Sequence, residues 1–167
     1  LIVGALSAGF VPIFLELLTK DKKQAWRVTN AVINILGILL VVRCGILMVF
    51  TPNLMHLLVP GFEGEKFEMT IMLTRIMFLS PILLGISSVI SGVLQSFRAF
   101  LVYSLTPIMY NLGIILGITI FVPMFGVAGL AYGVILGALF HLLIQIPSLI
   151  QNGFKYQALF LWKDKYV

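Results

Sequence analysis

Charged side chains are scarce in this sequence. Asp, Glu, Lys and Arg supply 10% of its 167 residues, against roughly 25% in an ordinary soluble domain. So few charges could not cover the surface of a soluble domain of this size. The scarcity excludes a soluble enzyme, a nucleic-acid-binding domain and a disordered segment. Cysteine is scarcer still. Cys44 stands alone, which excludes an internal disulfide framework and any cysteine-based metal site. Catalytic patterns are missing as well. There is no Gly-rich phosphate loop, no pair of catalytic carboxylates, no Ser/His/Asp set and no His-Glu-x-x-His. Nor is there a filter-like motif of the kind a channel needs. No enzymatic activity, metal or cofactor is expected.

Apolar residues are abundant. They make up 60% of the chain, and the mean hydropathy is +1.12. A membrane-spanning helix needs about 20 mostly apolar residues. Five runs meet or approach that length: 1–18, 28–50, 67–94, 100–121 and 127–150. They are apolar on all sides, whereas the strands of a spanning barrel alternate. The expected fold is all-α, a polytopic bundle of five transmembrane helices over residues 1–150. Residues 151–167 then form an interfacial tail or a linker to a further span. The aromatic residues of this tail, interleaved with Lys155, Lys163 and Lys165, suit the headgroup region.

The net charge of +5 is not a nucleic-acid signal, because no basic stripe is interleaved with aromatics on a polar face. Sorted by loop, it reports topology. Lys20, Lys22, Lys23, Arg27, Arg98, Lys155, Lys163 and Lys165 fall on one side, and only Lys66 falls on the other. By the positive-inside rule the first side is cytoplasmic. The first helix then enters from outside. It lacks a positive flank, an initiator Met and the cleavage site of a signal peptide. At least one further helix is therefore expected before Leu1.

Intramembrane charges are functional candidates by default. Arg43 and Arg75 lie at similar depth in the outer half of the second and third spans. Either they face a cavity and attract an anion, or they snorkel to headgroups. Glu16 and Lys20, four residues apart, suit a helix-surface ion pair. His141 and Gln145, one turn apart, suit interhelical hydrogen bonds. Asn30, Asn34, Ser87, Ser88, Ser91 and Asn111 are further points for binding neighbouring helices. Small residues recur every fourth position at Gly4 and Ala8, at Gly113 and Gly117, and at Gly129, Gly133 and Gly137, which permits close helix approach. Pro12, Pro81, Pro107 and Pro147 can kink their spans, as in transporters that must hinge.

Several stretches, in order, resemble the MurJ (MviN) family, the proposed lipid II flippases of bacteria within the multidrug/oligosaccharidyl-lipid/polysaccharide transporter superfamily. The first span has Gly4-Ala5-Leu6-Ser7-Ala8-Gly9-Phe10-Val11-Pro12. The second loop has Val59-Pro60-Gly61-Phe62. The third span has Leu73-Thr74-Arg75-Ile76-Met77-Phe78, then Ser91-Gly92-Val93-Leu94-Gln95, with Arg98 and Phe100 after it. The fourth has Pro107-Ile108-Met109-Tyr110-Asn111-Leu112-Gly113. The fifth has Gly126-Val127-Ala128-Gly129-Leu130-Ala131-Tyr132-Gly133 and Gln145-Ile146-Pro147. The chain departs from the family at Val3, where Glu is usual, and at His141, where Gln is commoner.

The resemblance implies that the five spans are the second to sixth of fourteen, within the N-terminal lobe of a larger transporter in the bacterial inner membrane. It implies a multi-pass protein that moves lipid II outward by alternating access. A cationic cavity would receive the diphosphate, with Ser7, Arg43, Arg75 and Asn111 as cavity candidates here. Gln95, Ser96, Phe97 and Arg98 are candidates for a cytoplasmic gate. The implied partners are lipid II, membrane lipids and the remaining helices of the polypeptide. A related drug or polysaccharide-lipid exporter and a non-transporting scaffold subunit are the alternatives.

Overall fold

The structure, a computed structural model, describes the backbone of residues 2–159 and the side chains of residues 9–159. Among these residues its regular structure is all helix, with no strand. Helices α1 (Ile2–Lys20) and α2 (Lys22–Val49) are separated by one residue, Asp21. Asp21 is extended, with φ −151° and ψ 102°, and its carboxylate accepts from Lys23 N at 2.8 Å and Gln24 N at 3.3 Å. That is an N-cap. Residues 20–27, expected as a loop, are therefore mostly helix. Hydropathy hides this because the capped turns carry Lys22, Lys23 and Arg27. A helix of this length spans about 42 Å against a hydrocarbon core of about 30 Å, so these basic turns can stand among headgroups.

The second connection is also helical. Thr51–Leu58 forms α3, with Pro52 in its first turn, where a missing N–H costs nothing. Met55 of α3 packs on Phe67 and Ile71 of α4 (Gly64–Met77). The third expected span is two helices, α4 and α5 (Leu79–Ser96). Pro81 cannot donate to the carbonyl of Met77, and the helix breaks at Phe78.

The fourth span continues past its expected end. Helix α6 (Phe100–Leu116) passes into a π-helical turn, Gly117–Phe121, and then α7 (Val122–Phe125). Pro123 lies just beyond the wide turn and lacks an N–H for the Thr119 carbonyl. Gly126, at φ 59°, reverses the chain in a conformation that suits glycine. The fifth span divides into α8 (Ala128–Leu143) and α9 (Ile146–Gln151), broken where Pro147 withholds a donor from Leu143.

Among the described residues, four helical segments are long and apolar enough to cross a membrane: Lys22–Val49, Gly64–Ser96, Phe100–Phe125 and Ala128–Gln151. Helix α1 occupies the first expected span. Large apolar side chains stay exposed along α2 (Ile38, Val42, Ile46) and α6 (Leu101, Ile108, Ile115). In lipid that surface carries no penalty. The chain is thus an all-α membrane helix bundle.

Two packing zones hold it together. Phe14, Leu17, Val28, Val93, Leu94 and Leu149 join α1, α2, α5 and α9 in a buried core at the lysine-rich end. Helices α6 and α8 meet through glycine. A Cβ on Gly117 would lie 2.5 Å from Gly133 Cα, and one on Gly133 would lie 2.6 Å from Gly117 Cα. Gly113 abuts the backbone at Gly137 in the same way. In lipid, where apolar burial drives little helix association, this close backbone contact supplies the packing energy. Gly133→Ala should force the pair apart and cost about 1–3 kcal/mol. A lowered unfolding midpoint in detergent, with unchanged helicity, is the expected result.

Candidate functional site

Three places carry the candidate polar residues: two arginines near one end, a polar band inside the bundle and the α5–α6 turn at the lysine-rich end. Arg43 is exposed on α2 and lines a shallow apolar groove with Leu39, Val42 and Ile46. Arg75 is exposed on α4, and its Nε donates to the Met48 carbonyl at 3.1 Å. That bond ties α4 to the last turn of α2, where carbonyls lack helical partners. It also sets Arg75 against α2 about 7 Å further along the axis than Arg43. Asn111 is exposed on α6 and donates to the Pro107 carbonyl of its own helix at 2.9 Å, not to a neighbouring helix as expected. The side chain of Ser7 lies outside the described residues.

The polar band is built between α5 and the α8–α9 break. The Gln145 N–H turns to the Leu142 carbonyl at 3.2 Å, which leaves the His141 carbonyl without that donor. The Gln145 side chain replaces it, Nε2 donating to His141 O at 2.8 Å and to Ser87 Oγ at 2.5 Å. Ser91 Oγ donates to Gln145 Oε1 at 2.8 Å, and Ser87 Oγ lies 2.6 Å from His141 Nδ1. Ser87 and Gln145 are fully buried. His141 and Gln145 thus make the interhelical hydrogen bonds that their spacing suggested. Ser88 instead turns back to Gly85 O at 2.7 Å.

The α5–α6 turn closes in a Schellman arrangement. Arg98 N donates to Gln95 O at 2.9 Å and Ala99 N to Leu94 O at 3.0 Å. Arg98 occupies the left-handed position, φ 57°, where glycine is usual. Gln95 and Arg98 are exposed, and Ser96 Oγ donates to Gly92 O at 3.0 Å. Phe97 points inward. It stacks on Trp26 at 5.6 Å and meets Phe14 edge-on at 5.9 Å, with Lys22 Nζ 5.9 Å from its ring centre. The four gate candidates are contiguous, but Phe97 is an anchor between α1, α2 and α5, while Arg98 stands free of the core. Glu16 and Lys20 form the expected ion pair at 2.7 Å.

The segment after α9 carries contacts that the sequence did not announce. Residues 154–159 run extended along α2. Asn30 Nδ2 donates to Lys155 O at 3.0 Å, and Gln157 N donates to Asn30 Oδ1 at 2.9 Å. Asn34 Nδ2 donates to Gln157 O at 2.9 Å and Leu159 O at 3.0 Å, and Tyr156 OH donates to Asn34 Oδ1 at 2.9 Å. These asparagines were expected to bind a helix. Instead they satisfy the backbone of an irregular segment, as an apolar setting requires. Their four-residue spacing, which aligns them on one face, was the available signal. Between α2, α5 and α9 lies an open apolar groove of about 830 Å³, lined by Ile38, Val41, Ile86, Ile90 and Ile146, with Tyr156 at its edge.

The family profile described as "Lipid II flippase MurJ" matches residues 1–167. The chain belongs to the lipid II flippase MurJ family. Among similar proteins, the probable lipid II flippase MurJ of Rickettsia prowazekii is 32% identical over 120 residues, which is 71% of this chain and 24% of that protein. The one from Borreliella burgdorferi is 29% identical over 164 residues, 97% of this chain and 32% of that protein. The lipid II flippase MurJ of Burkholderia cenocepacia is 27% identical over 154 residues, 87% and 29% respectively. The MurJ-family segment seen here therefore spans about a quarter to a third of the length of these relatives.

Within this segment Gln145 links the buried Ser87 and Ser91. Gln145→Ala would strand the buried Ser91 hydroxyl and leave the His141 carbonyl only the longer Ser87 Oγ bond at 3.3 Å. A loss of about 1–2 kcal/mol is expected, read as a lower denaturation midpoint. Gln145→Glu should not restore it, because a carboxylate cannot donate to that carbonyl.

Proposed function

We propose that the chain forms part of the N-terminal lobe of a flippase that carries lipid II from the inner to the outer leaflet by alternating access. The family match over residues 1–167 supports this reading most directly. In it, residues 1–150 are the five-helix bundle and 151–167 the link toward further helices. The lysine-rich end faces the cytoplasm, in a bacterial inner membrane, by the excess of Lys and Arg there. The geometry supports the shared side of these loops, since Trp26, Phe97 and Phe154 meet at one end. The protein moves its substrate without covalent chemistry. Arg43 and Arg75, with Ser7 and Asn111, contribute to a cavity for the anionic head, while the lipid tail remains in the apolar phase. Gln95, Ser96, Phe97 and Arg98 form the inner gate, Phe97 as its fixed wall and Arg98 as its exposed charge. The Pro81 and Pro147 breaks are the places where α5 and α9 can pivot.

Complementation of a flippase-depleted bacterium by the full-length protein carrying this segment tests the reading. Restored lipid II translocation is expected, and failure despite normal expression and insertion would overturn it. Arg98→Ala should lower translocation several-fold. Arg98→Gly separates charge from backbone, because it removes the guanidinium while relieving about 1 kcal/mol of left-handed strain. A gate that depends on charge loses activity in both variants. Cysteines at positions 43 and 75, with Cys44 replaced by Ala, should react with a membrane-impermeant thiol reagent. Labelling only by lipid-soluble reagents would remove both arginines from the cavity.

A further inference from the structure

A second basic site lies apart from the proposed cavity. At the lysine-rich end, a recess of about 330 Å³ sits between the first turns of α2 and the segment after α9. Lys23, Arg27 and Lys155 line it, together with Trp26, Asn30 and Gln157. Among the described residues no carboxylate lines it, and Asp21, two residues before Lys23, already accepts from two backbone N–H groups of α2. Among the described residues, no ion pair engages these three cations.

One group in this wall is unfinished. Trp26 is 8% exposed, and its Nε1 is buried with no hydrogen-bond partner among the described residues. A buried indole N–H ordinarily finds an acceptor. This one lies beside Gly153, which also lines the recess: a Cβ there would stand 3.7 Å from Trp26 Nε1 and 3.7 Å from Lys22 Nζ. Gly153 has φ 98°, so the backbone at this position favours the residue that leaves the space open. Asn30 is not available as a ligand, since both ends of its amide are spent on Trp26 O, Lys155 O and Gln157 N. It holds the wall in place.

We propose that this recess binds a phosphate group. Three cations and a neutral N–H donor, with no competing acid among the described lining residues, match an anion that offers several acceptor oxygens. Two sources can supply the group, a membrane phospholipid and inorganic phosphate. The segment that walls the recess also lines the apolar groove through Phe154 and Tyr156. An acyl surface therefore adjoins the phosphate position. The site does not depend on the flippase reading. Only its assignment to the inner leaflet uses the orientation proposed above.

The test is equilibrium binding to the purified, delipidated full-length protein, with no translocation step, so that it fails or succeeds independently of transport. Short-chain phosphatidylglycerol, short-chain diacylglycerol and inorganic phosphate are titrated separately. Phosphatidylglycerol should bind saturably, with a component absent for diacylglycerol. The double variant Arg27→Gln, Lys155→Gln should weaken that component at least about tenfold. Trp26→Phe keeps the ring stack, removes only the donor, and should weaken it about threefold. Lys66→Gln, at the opposite end, should leave it unchanged. Inorganic phosphate binding with the same variant dependence supports the site with a soluble source. Equal affinities in wild type and both variants, or equal binding of diacylglycerol, would overturn it. So would sensitivity to the charge variants without sensitivity to Trp26→Phe, which describes a diffuse basic surface.

Discussion

A backbone carbonyl inside a membrane must have a donor, and much of this structure follows from that constraint. Prolines in the spans withdraw donors, and local chemistry answers them. Pro107 leaves the Tyr103 carbonyl short, and Thr106 Oγ1 donates to it at 2.8 Å. The helix before Pro123 widens, so that Val122 N reaches Gly117 O across a π turn. At the α8–α9 break the answer comes from a side chain that also reaches across to α5. Gln145 repairs its own helix and, through Ser87 and Ser91, fastens it to another. The defect becomes the attachment point.

The same requirement explains Asn30 and Asn34. An extended segment along a mostly apolar helix would expose peptide groups with no partners. Two amides one turn apart supply donors and acceptors along residues 155–159. Glycine meets a different need. Where α6 and α8 have no large side chains to interlock, bare backbone contact at Gly113, Gly117, Gly133 and Gly137 replaces them. The bundle is therefore held by an aromatic core at one end, a polar staple within it and a glycine seam along one pair.

These features suit a molecule that changes shape in a bilayer. The aromatic anchor of Phe14, Trp26, Phe97 and Phe154 ties together α1, α2, the α5–α6 turn and the segment after α9. Proline breaks divide two spans into short helices that can tilt separately. Strain is concentrated at Arg98, the described non-glycine residue held at positive φ. That places a conformationally costly residue in the exposed turn next to a rigid anchor.

Much of the fold was legible because composition and periodicity act along one helix at a time. Scarce charge and long apolar runs established a membrane bundle, and the loop lysines grouped the ends. The repeated glycines marked the α6–α8 seam, and Pro81 and Pro147 marked breaks, whereas Pro12 and Pro107 lie inside unbroken helices. The ordered motifs also carried the family. Span ends were less legible. Asp21 starts a helix through a cap that hydropathy does not register, and α3 is an amphipathic helix too short to count as a span. The site was legible only as a set of polar residues. Partners lay out of reach: Gln145 finds Ser87 across 58 residues of chain, and Asn30 finds Lys155 across 125. Whether Phe97 anchors or gates, and whether Trp26 finds an acceptor, depends on what neighbouring helices bring against it. Residue type settles what a side chain can donate or accept. Only the placement of the helices in three dimensions decides which groups meet, because in lipid the drive to bury apolar surface no longer dictates which faces pair.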